Sequence, residues 1–309
     1  MWQAANLELD SKQMANAVIK GAKRFLKPLS DFLVSQLRQE KVVHMDETPF
    51  QVLDNGKSKS YFWALRTPKE FAKHQIAYFH YAPTRSGKVI SDILTPDYTG
   101  AVMCDSYRGY GQEQLPKATF DSCLIHIRRP FIGLVKGLTL KNNAQATQAV
   151  KLLSRVFHKE KNLRYKTPAE KKAQRRNLVK PLLDAFYRFI EGIAYPMHKL
   201  KDAVKNVLKL KDRRVYQIFE IGELPLSNNS VEQSIRPSTI IRKNGLFAKS
   251  TAGAEANAIL YTIVQTAKLN NLDVFKYLKL IFEAYTCSQN LDLKAYLPWN
   301  PTVQQICGK

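Results

Sequence analysis

Acidic residues and cysteines are scarce in this chain, and it has no long apolar run, internal repeat or low-complexity segment. The four cysteines, Cys104, Cys123, Cys287 and Cys307, are scattered through 309 residues. That spacing excludes a disulfide framework and makes reduced thiols the expectation. Cys123 and His126 stand at Cys-x-x-His spacing, but no second pair completes the four ligands of a structural zinc site. No apolar stretch approaches the roughly 20 residues of a membrane span, and no basic-then-hydrophobic leader follows Met1. A cytoplasmic protein without a membrane partner is expected.

The shortage of acids is matched by an excess of bases. Twenty-six Asp and Glu face 48 Lys and Arg, which gives a net charge of +22 and a pI near 9.8. A polyanion is therefore the leading partner, because each Lys or Arg that meets a phosphate releases a condensed counterion. Nucleic acid fits better than a lipid surface. Hydrophobic residues make up 45% and aromatics 10% of the chain, too many for a disordered polymer. The length suffices for one large domain or two ordinary ones.

The organising stretch is Val42-Val43-His44-Met45-Asp46-Glu47-Thr48. In a strand Val43 and Met45 point one way and Val42, His44 and Asp46 the other. The acid is expected at the strand's end, and an ionised group beside apolar neighbours needs a partner or a metal. Residues 50–53 and 60–65 flank Asp54-Asn55-Gly56-Lys57, whose Asn-Gly favours a tight hairpin. A further strand over 75–81 gives three antiparallel strands in succession. Thr84-Arg85-Ser86-Gly87 leads into a helix marked by Val89, Ile90, Ile93 and Leu94. A buried strand, Ala101-Val102-Met103-Cys104, then ends on a second acid, Asp105, and is free to lie parallel to the first. A fifth strand over 118–124 precedes His126-Ile127-Arg128-Arg129.

The rest reads as helix. Asp10 or Ser11 caps a first helix with Met14, Val18, Ala22 and Phe25 on one face, and a second follows Pro28. From 131 to 219 only helices are expected, with Thr167-Pro168-Ala169-Glu170 as a capping box. Residues 155–180 hold ten basic and two acidic side chains, either a solvated helix surface or a contact for phosphates. A third acid, Glu232, lies three residues after Asn229, which is compatible both with a capping box and with a metal ligand held on a helix's first turn. Helices over 254–268 and from Asp273 close the chain.

Several of these segments, in this order, resemble the catalytic part of bacterial transposases of the insertion-sequence sixty-six family. They are 44–48, Asp105-Ser106-Tyr107-Arg108-Gly109-Tyr110, 126–129, Asn228-Asn229 with Glu232, Arg236-Pro237, Arg242-Lys243-Asn244, 253–269 and Leu297-Pro298-Trp299-Asn300. The resemblance runs from about Leu7 to the end. It implies an α/β, ribonuclease-H-like mixed sheet with flanking helices and a large all-helical insertion before the last catalytic acid. It also implies an Asp-Asp-Glu metal triad, which falls on Asp46, Asp105 and Glu232. Family members commonly carry a longer, DNA-binding N-terminal region, of which the last helices correspond to this chain's start. The chain departs from the family pattern at Pro130, Ser227, Gln233 and Gly245.

The implied organisation is a helical N-terminal remnant over 1–40, the first part of the catalytic core over 41–130, a basic helical insertion over 131–224, and the second part with C-terminal helices over 225–309. The implied chemistry is in-line phosphoryl transfer on double-stranded DNA, at transposon ends and target, in the bacterial nucleoid. Two Mg²⁺ ions, with Mn²⁺ as substitute, suit an all-carboxylate site, with Asp46 shared and Asp105 and Glu232 holding one ion each. His126, Arg128, Arg129, Arg236, Arg242 and Lys243 are the expected DNA-binding residues, the arginines through bidentate phosphate contacts. Glu47, on the opposite face of its strand, is expected behind the metal ligands or at the surface. A homo-oligomer on DNA follows from the resemblance. A DNA-binding protein without catalysis, and a ribonuclease-H-like nuclease that does not join strands, are the alternatives.

Overall fold

A computed structural model describes residues 10–54, 56, 59–107, 109–137, 144–194, 198–227, 229, 247–288 and 290–309. The period-two stretches build a mixed sheet. Strand β1 spans Val42–Val52, β2 Ser60–Arg66, β3 Ala77–Ala82, β4 Ala101–Cys104 and β5 Thr119–Ser122, in the order β3-β2-β1-β4-β5. The first three are antiparallel, as a succession of short connections favours, while β4 and β5 run parallel to β1. A two-residue strand, β6 (Phe247–Ala248), pairs with the far end of β1.

One sequence expectation is corrected here. Residues 42–45 and 50–53 were to be separate strands with Asp46 at an end, but β1 is continuous and Asp46 lies inside it. Pairing with β2 from His44↔Arg66 to Phe50↔Ser60 holds the backbone extended through the acids and Pro49. The parallel pairing with β4 stops at His44↔Met103. Asp46 is therefore interior to its own strand and just past the end of its neighbour's ladder. Of the hairpin turn, Gly56 is described and has φ +64°, the left-handed conformation that glycine adopts without strain. Asn55 and Lys57 lie outside the described residues.

The two sheet faces carry different layers. Val43, Met45, Val102 and Cys104 pack against α2 (Lys27–Leu37), α3 (Lys88–Leu94), α9 (Thr251–Leu269), α10 (Val274–Cys287) and α11 (Pro301–Cys307). Val42, Ala101 and Met103 face the other way, onto α4 (Leu124–Gly137), α5 (Ala144–Lys161), α7 (Lys180–Glu191) and α8 (His198–Leu210). The alternation expected for 42–45 thus places each residue on its layer. Helix α1 (Ser11–Gly21) starts from a capping box between Asp10 and Gln13, and joins α2 through a wide turn over Ala22–Leu26. At the sheet's outer edge, the N–H groups of Ala77 and Phe79 donate to the hydroxyls of Thr266 and Thr262 on α9, at 3.1 and 2.9 Å. The edge that would invite a further strand is covered.

The basic stretch 155–180 is resolved in part by ion pairing. Arg175, fully buried, pairs with Glu160 at 2.5 Å and donates to the carbonyl of Leu224 at 2.7 Å. Lys171, on α6 (Pro168–Gln174) and also buried, pairs with Glu70 at 2.8 Å. Lys172 and Arg176 share Glu220, and Lys180 pairs with Asp184. Half of the ten bases are thus taken up by acids of the fold, four of them within the helical layer and Lys171 across to the connection between β2 and β3. Of the expected capping box the Thr167 cap forms, its hydroxyl accepting from Glu170 N–H at 3.2 Å with Pro168 in the first turn, while the Glu170 carboxylate accepts from Lys166 N–H at 2.7 Å rather than from the cap residue.

Candidate active site

Strand register relates the positions of the first two acids. The parallel pairs are Val42↔Ala101, Val43↔Val102 and His44↔Met103, and Asp46 and Asp105 each follow the last pair by two residues, Asp46 within β1 and Asp105 just after β4. By the same alternation both follow Val42, Ala101 and Met103 onto the face of α4 and α8. Both are half-buried. The N–H of Glu47 donates to Asp46 Oδ1 at 2.9 Å, and the N–H of Tyr107 donates to Asp105 Oδ1 at 2.8 Å. The second contact is an Asx turn, which bends the chain as it leaves β4.

Glu47 points to the other face, as the alternation demands, and is not a surface residue. Its side chain is 1% exposed. Arg85 Nε donates to Oε1 at 2.5 Å, and the Tyr110 hydroxyl donates to Oε2. Burial pushes the Glu47 carboxyl up from the usual range, against the pull of the Tyr110 hydrogen bond and the Arg85 charge, with Asp105 adding to the rise. The Arg85 guanidinium lies 3.8 Å from the Tyr107 ring centre, and the Tyr107 hydroxyl donates to the Arg85 carbonyl at 2.6 Å. Arg214, from a wide turn over Lys211–Val215, donates to the carbonyls of Asp105 (3.5 Å) and Tyr110. The 105–110 segment is therefore pinned from both sides. Sequence reading missed Arg85 and Arg214. Arg85 stood in a stretch read only as a helix approach, and Arg214 is 109 positions from Asp105 with no local signal.

The other expected site residues are placed as follows. His126 lies on the first turn of α4 and lines a cleft of about 860 Å³ together with Asp105, Arg85, Lys199 and Lys209. Arg128 turns toward α5, donating to Ser154 Oγ at 2.7 Å with its guanidinium 6.0 Å from the Phe157 ring centre. Arg129 is exposed on α4. Glu232, Arg236, Arg242 and Lys243 lie outside the described residues. The chain leading toward Glu232 is described: the Leu124 N–H that opens α4 donates to the Leu226 carbonyl at 3.0 Å. Ser227 and Asn229 line a second cleft, about 520 Å³, with His44. His44 is buried on β1 two residues before Asp46, and burial together with nearby Arg66 lowers its pKa to about 3. Among the described residues no three His, Cys, Asp or Glu side chains cluster closely enough to hold a metal. None of the helices described is long and apolar enough to cross a membrane.

The cleft thus carries one of the two aspartates, Asp105, together with Arg85, Lys199 and Lys209. Residues 1–256 match the model described as Transposase IS66 family, and the chain belongs to that family. Its relatives include three uncharacterized proteins of Sinorhizobium fredii (strain NBRC 101917 / NGR234). Protein y4jD is 26% identical over 91% of this chain and 58% of its own length. Protein y4qI is 24% identical over 89% and 53%, and y4hP 23% identical over 96% and 57%. The chain thus spans little more than half the length of the curated relatives it matches.

Proposed function

We propose that this protein is a DDE-type transposase that cuts and joins double-stranded DNA, with Asp46, Asp105 and Glu232 as its metal-holding carboxylates. The observation that supports this reading is that β1, which carries Asp46, pairs in parallel with β4, which Asp105 follows, with both acids two positions beyond the last pair, His44↔Met103. The antiparallel strands on one side of β1 and parallel strands on the other support a ribonuclease-H-like core. In that reading 41–130 and 225–309 form the core, 131–224 is an insertion, and 1–40 is an N-terminal helical segment.

The donor set fits a hard divalent cation. Both aspartates offer only oxygen, and each has one oxygen oriented by a backbone N–H. The packing of Leu226 and the place of Asn229 beside His44 support the approach of Glu232 to the same edge. When bound, Mg²⁺ or Mn²⁺ supplies activation of the attacking water or 3′-hydroxyl and stabilisation of the leaving oxygen. The chain's own groups orient the substrate. Arg129 is exposed on α4, where a phosphate can reach it, whereas Arg128 would first leave Ser154. Arg236, Arg242 and Lys243 complete the DNA-binding set, and the protein acts on DNA as a homo-oligomer.

The test is nicking and strand joining on supercoiled and short duplex DNA with Mg²⁺, Mn²⁺ or chelator. The comparison is wild type against Asp46→Asn, Asp105→Asn and Glu232→Gln. Metal-dependent products lost in all three variants support the triad. Cutting without joining points to a nuclease, and binding without cutting to a DNA-binding protein.

A further inference from the structure

The cleft that begins at Asp105 is built in two tiers. Its floor is apolar, formed by Ile127 of α4 and by Ala203 and Val207 of α8. Above the floor stand Lys199 and Lys209 of α8 and, across the cleft, Arg85 beside Tyr107. Positions 199, 203, 206, 207 and 210 recur at helical spacing, so one face of α8 is turned to the cleft. Lys199 and Lys209 are exposed and stand about 15 Å apart along the helix axis. The same helix carries two more exposed lysines, Lys201 and Lys205, which do not line the cleft. Asp202 is the one acid besides Asp105 among the lining residues described.

A duplex has little use for an apolar floor, because it shows phosphates outward and keeps its bases stacked and paired. A single strand presents both a charged backbone and unpaired base faces, and is held by a basic groove with apolar and aromatic walls. We propose that this cleft binds a few nucleotides of single-stranded DNA running from Asp105 along α8, with Lys199 and Lys209 on its phosphates and its bases over Ile127, Ala203 and Val207. The proposal rests on the transposase reading for the identity of the polyanion, and it adds that the strand entering the site is parted from its complement. None of the residues it sets against the strand, Lys199, Lys209, Ile127, Ala203 and Val207, belongs to the metal-holding set.

The experiment is equilibrium binding of the full chain in chelator, where no cutting occurs, so its result is independent of whether the carboxylates catalyse. The probes are a blunt duplex and the same duplex with a short 3′ single-stranded overhang, titrated at several salt concentrations. Wild type should prefer the overhang. Lys199→Gln/Lys209→Gln should weaken overhang binding several-fold and lower its salt slope by about 1.4, at about 0.7 for each single-strand phosphate contact. The double variant should leave the blunt duplex nearly unaffected, and Lys199→Glu/Lys209→Glu should enlarge the effect. Lys201→Gln/Lys205→Gln, with the same charge change on the same helix, should retain the overhang preference. Equal binding of both probes by wild type, equal effects of the two glutamine pairs, or equal loss on both probes would overturn the proposal.

Discussion

Two ion pairs, one on each side of the sheet, show how differently this basic chain uses its charges: in one a buried glutamate holds a half-exposed arginine, and in the other the arginine itself is buried. Glu47 and Arg85 meet behind the strand that carries Asp46, and their contacts run through Tyr107 and Tyr110 to the segment that opens at Asp105. Arg175 and Glu160 meet inside the helical layer, where the guanidinium also satisfies the carbonyls of Ile218 and Leu224. The first pair shapes an edge that faces a cleft. The second closes a core. Net charge alone would have counted both arginines as surface for a polyanion, yet only the arginine of the first pair lies at the cleft wall.

The comparison can be broken most decisively at the carboxylates. Asp46→Asn and Asp105→Asn should each cut metal-dependent DNA cleavage on the order of 10³-fold, the scale of removing a preorganised electrostatic group. Thermal unfolding of the same samples should stay near wild type, since both side chains are half-buried. A comparable fall in melting temperature would make them structural instead.

Arg175→Met should act in the opposite sense. It strands Glu160 beside an apolar side chain and orphans two carbonyls, at a cost of about 3–5 kcal/mol of stability. Urea unfolding measures that loss, and cleavage per folded molecule should be retained. Glu47→Gln is intermediate. It keeps the shape and the Tyr110 contact but removes the charge under Arg85, so cleavage should fall about tenfold, roughly 1.4 kcal/mol, with a weaker apparent metal affinity. If Glu47→Gln were as inactive as Asp46→Asn, Glu47 would belong among the metal-holding groups rather than behind them.

The smallest expected effect concerns Asp121 on β5. It is fully buried, and neither carboxyl oxygen has a hydrogen-bond partner among the described residues. Burial raises its pKa well above the usual value, against the charges of Arg175 and Arg214. A carboxyl with a raised folded-state pKa stabilises most below its unfolded value, near 4, and that contribution is lost as pH rises toward the folded value. Asp121→Asn does not titrate, so its melting temperature relative to wild type should climb between pH 5 and pH 8. A difference that is flat or falls with pH would mean that Asp121 is ionised in the fold.

The legible part of the molecule was local. Alternation over 42–47 separated Asp46 from Glu47, and the buried run 101–104 located the second acid, because side-chain direction in a strand depends only on position parity. Capping residues marked helix starts at Asp10, Thr167 and Asp273, where a side-chain oxygen three residues upstream satisfies a backbone N–H. The end of β1 was misjudged because strand length depends on the neighbour it pairs with, and β2 continued where β4 stopped. Arg128 was expected to face DNA, but Ser154 and Phe157 on the next helix hold it, and no spacing within 126–129 announces them.

By itself the sequence determined the period of each element, the chain's own excess of positive charge, and the order of motifs that identifies the family. Tertiary structure alone decided which charges remain at an open cleft and which are consumed in pairs. Arg175 and Arg214 look alike in sequence, and so do Lys199 and Lys201. What separates them is the face of a helix and the partner across a gap, set by contacts between residues tens to hundreds of positions apart. Burial then fixes the outcome, because a charge removed from water must find its counter-charge or hydrogen bonds within the fold.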